Sequence, residues 1–594
     1  MRESVVSRIA LLLSALLFPT VVAWRPIDSN ARRRAWAKNP LRADAAERPH
    51  WFRNVDAPMR NPLVRIKTRY RNMRDTQRNS SVRPSSSSTT EPIKRRITTT
   101  EDLKSYFEDE SKQFRDSKGN IKYDDLVKAL VVEGDTQIIG SPQHPELVHP
   151  VLKLLHRRKR EKSKCTEGSR PDGKKVALVV EGGGMRGCLS AGMVAAIYYL
   201  GLEDTVDVVY GSSAGTVIGS YFISRQLQWS GHEIYYDSLT TAGKEFIDTK
   251  GLLRAIGIGL LDPRLIVDYI KRPAFGKPVL NLKFLLNKNI QETKPLDWEK
   301  FTEMQKKQPL KVIASSLEKE QSIVMDMEKK DFETLEEMAS CMHASCLLPG
   351  IAGPLMNRNK APGKNGDNRK MVLGNNLDPS QYEPLCDSLL FEPMGFHSAL
   401  KEGATDVIVL RTRPDGTDVT GKSSVPEKMI LRRFFLRKNK LRNIYKYMRR
   451  HGHKQRYAED VLTLNEAARD FRSDDDTSSP RMLTIAVPPG SPEVTRLETG
   501  REAIFDGIRR GFARAYDALV EDPAERGRGA LVAKEYFPDE ILDYDPVDIA
   551  AAGHHRESAF STYLRSIGED PSDWKSTPER QEDETSASAD VARS

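Results

Sequence analysis

Two strand–turn–helix units in immediate succession constrain the fold of this chain more than any other feature. Residues 176–181 read VALVVE, a continuous apolar run of the kind that is buried on both faces of a sheet. The run passes straight into GGGMRG and then into CLSAGMVAAIYYLGL, whose apolar residues keep helical spacing. The pattern repeats at once, with VDVVYG (206–211) as a short strand, GSSAG as a sharp turn and TVIGSYFISRQL as the next helix. LKVIASSL (310–317) and ATDVIVLRTR (404–413) are further apolar strands. Strands alternating with helices indicate an α/β fold, a sandwich around a mostly parallel central sheet.

The glycine run supports two chemistries. Gly182, Gly184 and Gly187 satisfy the dinucleotide fingerprint G-x-G-x-x-G, but that use also wants an acidic residue at the end of the second strand to hold the ribose. Glu203, Asp204 and Asp207 fall before or at the start of that strand, which ends in Tyr210-Gly211. The other use is an oxyanion hole. Gly211-Ser212-Ser213-Ala214-Gly215 is G-x-S-x-G between a strand and a helix, where small neighbours let a strained turn lift the Ser213 hydroxyl above the sheet edge. The helix that follows points free N–H groups toward an anion. The glycine loop lies 31 positions upstream (213 minus 182), on the preceding strand-to-helix turn, so its amides come beside the serine. The oxyanion use is favoured, and no dinucleotide is expected.

With these blocks in place, residues 173–519 resemble the patatin-like phospholipase family. EGGGMRG, GSSAG and a later aspartate block stand in the family's order. The resemblance implies a patatin-like three-layer sandwich, a Ser/Asp dyad without a catalytic histidine, and a lipid or phospholipid substrate. It makes Ser213 the nucleophile, Asp387 the base, and Gly182, Gly183, Gly184, Arg186 and Gly187 the oxyanion loop. No metal or cofactor is required by such a scheme. Arg186 is placed to reach a phosphate or to pair with one of the domain's own carboxylates. HASCLLPG (343–350) resembles the family's groove-lining segment. The aspartate block departs from the family, because Asp387-Ser388-Leu389 stands where Asp-Gly-Gly or Asp-Gly-Ala is usual. A hydrolase is therefore expected, with a catalytically impaired lipid-binding protein as the alternative.

Outside that core, composition guides the reading. Residues 1–23 have a basic start, a short apolar run and a small residue at Ala23, the pattern of a cleavable signal peptide. Residues 24–100 carry 19 Lys or Arg against 6 acids and no periodicity, so a disordered basic leader is expected. That leader holds more than the chain's whole net charge of +10, which removes the case for nucleic-acid binding. The two segments together suggest routing into the secretory pathway, with a two-part plastid presequence as the alternative. Residues 101–158 read as a helical extension around a degenerate EF-hand-like hairpin, in which Phe114 and Lys118 occupy calcium-ligand positions. A charged linker then leads to the domain at 173. Residues 428–456 hold 12 Lys or Arg and no acid, interleaved with apolar residues at helical spacing. That suits a peripheral membrane surface, or a core-packing helix with a solvated basic face. Residues 520–594 read as an acidic, partly disordered tail. His343 and His397 are expected to be structural.

Overall fold

The run Val176–Val180 forms a strand with every residue buried, and the sheet is assembled around it. The computed structural model describes residues 95–109, 130–132, 136–163, 170–226, 231–248, 278–361, 369–417, 425–471, 479–551 and 558–569. The signal peptide, nearly all of the leader, the EF-hand-like loop at 110–129 and residues 570–594 lie outside them.

In chain order the strands are β1 (Arg95–Ile97), β2 (Leu130–Val132), β3 (Val176–Val180), β4 (Val208–Ser212), β5 (Leu310–Ser316), β6 (Gln321–Met325), β7 (Met356–Asn359), β8 (Met371–Leu373), β9 (Tyr382–Cys386), β10 (Asp406–Leu410) and β11 (Arg481–Ile485). β1 and β2 pair with each other in parallel. The rest form one nine-stranded sheet in the order β11-β10-β3-β4-β5-β9-β7-β8, with β6 also paired to β5. From β11 to β5 every pairing is parallel. β6 and β9 both run antiparallel to β5, and β7 and β8 continue as an antiparallel ribbon. The fold is thus α/β with a mostly parallel sheet. The chain winds from β3 to β4 and β5 on one side and returns to β10 on the other, so a crevice opens beyond the carboxyl ends of β3 and β4.

The helices that matter here are α1 (Thr100–Asp109), α2 (Pro150–Arg160), α3 (Cys188–Tyr199), α4 (Ala214–Ile223), α5 (Leu335–Cys346), α6 (Gly452–Ala467) and α7 (Arg501–Leu519). Alternate residues of β3 feed two cores. Val176, Leu178 and Val180 pack with α3, α4 and α7, while Ala177 and Val179 pack with Tyr106 of α1, Phe396, and Tyr457 and Val461 of α6. Helices on both faces make the three layers, and each fully buried large side chain contributes roughly 1.5–3 kcal/mol. α3 is buried along nearly its whole length because α7 lies across it. A Cβ on Gly192 would sit 2.0 Å from the Ile508 carbonyl oxygen, and one on Gly511 would sit 2.0 Å from that of Leu189. Only glycine permits this helix–helix approach.

The compact unit is larger than the sequence suggests. It begins before residue 173, because α2 buries Val151, Leu152, Leu154 and Leu155. Arg158, which reads as part of a charged linker, is buried and donates to Asp172 at 2.7 Å and to Asp207 at 2.8 Å. β1 already starts at Arg95, inside the span assigned to the leader. Beyond 519, Phe537, Ile541, Phe560 and Leu564 are buried in the main core, so the acidic segment is anchored as far as 569 by apolar residues spaced among its charges.

The α3–α7 crossing makes a testable demand. Alanine in place of glycine ordinarily favours a helix by about 1 kcal/mol. Gly192→Ala and Gly511→Ala should instead each lower the unfolding free energy by about 3 kcal/mol, measured by urea denaturation, because the added methyl meets backbone. Unchanged midpoints would contradict the crossing.

Candidate active site

The site starts from a turn that two glycines make possible. Ser213 has φ 51° and ψ −124°, a conformation that costs a non-glycine residue about 1–3 kcal/mol. It is held from several sides. The Ser213 N–H donates to Ser345 Oγ at 2.8 Å, and that hydroxyl donates to the Ile313 carbonyl at 2.5 Å. The Ser213 carbonyl accepts from the Thr216 amide at 2.9 Å and from the Thr216 hydroxyl at 2.8 Å. A Cβ on Gly211 would lie 2.6 Å from Thr216 Cα, and one on Gly215 would lie 2.1 Å from the Val180 carbonyl oxygen. The two glycines let α4 turn back tightly onto β3 and β4. Ser212 and Ala214, the other elbow residues, are buried on either side of the nucleophile.

The glycine loop rests directly on this elbow. β3 and β4 pair Val180 with Gly211, so Glu181-Gly182 comes abreast of Ser212-Ser213. A Cβ on Gly182 would meet the Ser212 carbonyl oxygen at 2.3 Å and Ser213 Cβ at 2.6 Å. Gly184, at φ 62°, opens a single 3-10 turn ending at Gly187, where a Cβ would strike the Tyr235 hydroxyl at 2.3 Å. The Met185 amide is already committed to the Arg496 carbonyl at 3.1 Å. No hydrogen bond engages the Gly183 and Gly184 amides among those of the described residues, and both glycines line the cavity at Ser213. They are the loop's available anion donors.

Arg186 takes the structural of its two anticipated roles. Its Nε donates to Thr412 Oγ1 at 3.2 Å and its guanidinium lies 3.4 Å from Glu493. Thr412 in turn donates from its hydroxyl to the Gly182 carbonyl at 3.0 Å, and from its amide to the Glu181 carboxylate at 2.5 Å. Tyr457 donates to the other Glu181 oxygen at 2.8 Å. The loop is therefore anchored at both ends by buried polar groups.

Asp387 reaches Ser213 because β9 runs backwards. Ser212 is level with Ile313, and Cys386 is level with Ser315 on the same strand β5. One step past Cys386 the antiparallel chain is heading down toward Ile313, which brings Asp387 alongside the elbow. Ser213 Oγ donates to Asp387 Oδ2 at 3.0 Å. The other oxygen, Oδ1, accepts from the Leu389 amide at 2.8 Å as the cap of a short turn over Ser388–Leu390. Neither Ser388 nor Leu389 has a positive φ, so this turn is made without the glycines usual at those positions. Burial pushes the Asp387 carboxyl up to about 6, against the opposing pull of the Leu389 amide, the Ser213 hydroxyl and Arg496.

Ser213 and Asp387 open into a cavity of about 830 Å³, within the range of ligand pockets. Its deep wall is apolar, with Val217 of α4, Ile234, Tyr235 and Leu239 of one irregular helix, Phe246, and Leu280, Leu282 and Leu285 of a second. Glu181, Arg186, Tyr457 and Arg496 make the polar end. Neither His343 nor His397 lines this cavity, and His397 is engaged by Asp460 at 2.7 Å. The sequence reading missed Ser345, Thr412, Tyr457 and Arg496. Ser345 stands inside the quoted segment HASCLLPG, but nothing local marks it as the acceptor for the nucleophile's own amide.

Residues 428–456 form no single helix. They break at Lys440 and His451, both with positive φ, and Ile430, Phe434, Phe435, Ile444 and Met448 face the protein core. The exposed side is basic, with Arg432, Arg437, Arg442, Lys446 and Arg449. Apolar spacing here served packing rather than insertion.

Residues 178–399 match the family model described as patatin-like phospholipase, a span that takes in the glycine loop, Ser213 and Asp387. None of the curated proteins compared with the chain matches it.

The burial of Asp387 has a consequence for stability. Its folded pKa lies near 6 and its ordinary value is 3.8, so the folded form holds the proton more tightly. The resulting stabilisation is complete below the ordinary value and is lost as pH rises through about 6. Asp387→Asn, which cannot ionise, should exceed the wild type in stability by up to about 3 kcal/mol at pH 7.5, with the gap closing toward pH 4. Denaturant titrations at the two pH values measure it, and a pH-independent gap would contradict the burial account.

Proposed function

Because the chain carries a patatin-like phospholipase domain, of a family that acts on lipids, we propose that it is a serine-dependent lipid acyl hydrolase working through a Ser213/Asp387 dyad. The observation that supports this best is the 3.0 Å hydrogen bond from Ser213 Oγ to a buried carboxylate whose second oxygen is capped. Ionised Asp387 accepts the hydroxyl proton as Oγ attacks the ester carbonyl. The charge that develops on the carbonyl oxygen is met by the Gly183 and Gly184 amides and by the positive end of α4. Collapse of the tetrahedral intermediate expels the alcohol portion, which takes the proton from Asp387 and leaves the acyl chain on Ser213. Water then attacks the acyl-enzyme, giving its proton to Asp387, and the free acid departs while Oγ regains a proton. The apolar wall accommodates the acyl chain. Phospholipid, galactolipid and triacylglycerol all satisfy this scheme.

The alternative, a lipid-binding pseudoenzyme, draws on Asp387-Ser388-Leu389. Against it stands the capped turn, which supplies Asp387 Oδ1 with a donor without any residue of positive φ. Two further elements belong to the same proposal. The basic face of 428–456 meets an anionic bilayer surface electrostatically, and the segment 1–23 routes the chain into the secretory pathway. No helix among the described residues is long and apolar enough to cross a membrane.

Hydrolysis of a short-chain fluorogenic ester tests the dyad. Ser213→Ala should abolish turnover, and Asp387→Asn should lower kcat by about 10²–10⁴-fold with the fold intact. Undiminished turnover by Ser213→Ala would overturn the proposal.

A further inference from the structure

The polar end of the cavity carries more positive charge than the protein neutralises. Arg496 lines the cavity together with Ser213 and Asp387. Its backbone carbonyl holds the Met185 amide, which fixes its position beside the glycine loop. Its side chain makes no ion pair or hydrogen bond with any described residue. Arg413 stacks its guanidinium over the Tyr457 ring at 5.1 Å, and its Nε is buried without a partner. Arg186 completes the group with only a long contact to Glu493 and one to Thr412. The three depress one another. Burial, then Arg413 and Arg496, bring Arg186 down to about 10, and burial followed by Arg413 lowers Arg496.

The nearby carboxylates leave this charge standing. Both oxygens of Glu181 are taken by Thr412 and Tyr457, and Asp387 is committed to Ser213. Glu427 acts on Arg496 only as a charge. Like charges gathered where water is scarce repel strongly, and planar guanidiniums are the donors best matched to a tetrahedral oxyanion. The opposite end of the same cavity is apolar. A molecule that satisfies both ends has an acyl chain and, a few bonds from its ester, an anionic head.

We propose that Arg496, backed by Arg413 and Arg186, forms a headgroup subsite that selects glycerolipids bearing a phosphate or sulfonate next to the glycerol over neutral galactolipids and triacylglycerols. This rests on the acyl hydrolase reading for its kinetic consequence, though not for its binding consequence. Arg496 is a specificity-determining residue, and Arg413 holds Tyr457 and adds charge from behind.

The test compares phosphatidylglycerol with monogalactosyldiacylglycerol in mixed micelles whose surface charge is held constant by an anionic detergent. The wild type should favour phosphatidylglycerol in kcat/KM by at least about 10-fold, and Arg496→Gln should lower that ratio by about 10- to 100-fold, with Arg496→Lys restoring part of it. No preference in the wild type, or a ratio unmoved by Arg496→Gln, overturns the subsite. In parallel, the Ser213→Ala protein is loaded with a fluorescent fatty-acyl probe and the same lipids compete for it. Preferential displacement by phosphatidylglycerol, lost in Arg496→Gln, supports the subsite even if no lipid is hydrolysed, in which case only the hydrolase reading fails. Displacement by inorganic phosphate alone, as effective as by phosphatidylglycerol at equal concentration, would make this a free-anion site and overturn the headgroup assignment.

Discussion

Everything at this site depends on backbone meeting backbone where two strand-to-helix turns touch. Gly215 lies against the Val180 carbonyl and Gly182 against the Ser212 carbonyl, each closer than any Cβ would allow. That contact fixes the glycine loop over the elbow before any side chain contributes. It also explains why Ser213 can keep a strained backbone. Ser345, Thr216 and the start of α4 hold the conformation from three directions, so the strain is stored rather than relaxed.

The legible part of this molecule was the part whose physics is local. Strands buried on both faces are apolar throughout, so β3, β5 and β10 could be read directly, and the glycines between strand and helix identify their own turns. Ser213 and Asp387 were both named, and the structure brings them together. Other parts depended on distant partners. β6 and β8 are half-exposed and carry polar residues, so the antiparallel ribbon gave no pattern of its own, although β9 in that ribbon is what delivers Asp387. Arg158 looked like linker charge because its partners Asp172 and Asp207 belong to other segments. The acidic stretch after 519 looked loose because Phe537 and Phe560 are isolated in sequence and meet only in the core. The same limit hid the apolar wall of the cavity, assembled from two irregular helices far apart in the chain.

The cavity divides its labour by dielectric and charge. On the apolar side, burial raises Asp387 to about 6, low enough for the carboxylate to be ionised at neutral pH yet more basic than an exposed aspartate. On the polar side, the glycine loop is tied down by Glu181, Thr412 and Tyr457, which leaves the arginines free of structural duty toward the oxyanion. A base without histidine and a cationic mouth therefore coexist in one pocket, because the elbow separates them and the loop spans them.

The central claim is that Asp387 is the base that activates Ser213. It is tested most directly by the pH dependence of covalent labelling of Ser213 by a fluorophosphonate, with the labelled residue located by mass spectrometry. The account requires one labelled serine, Ser213, with a rate that rises with pH through a midpoint near 6 and loses that midpoint in Asp387→Asn. Labelling governed by a midpoint above 7, or a profile unchanged by Asp387→Asn, would contradict it.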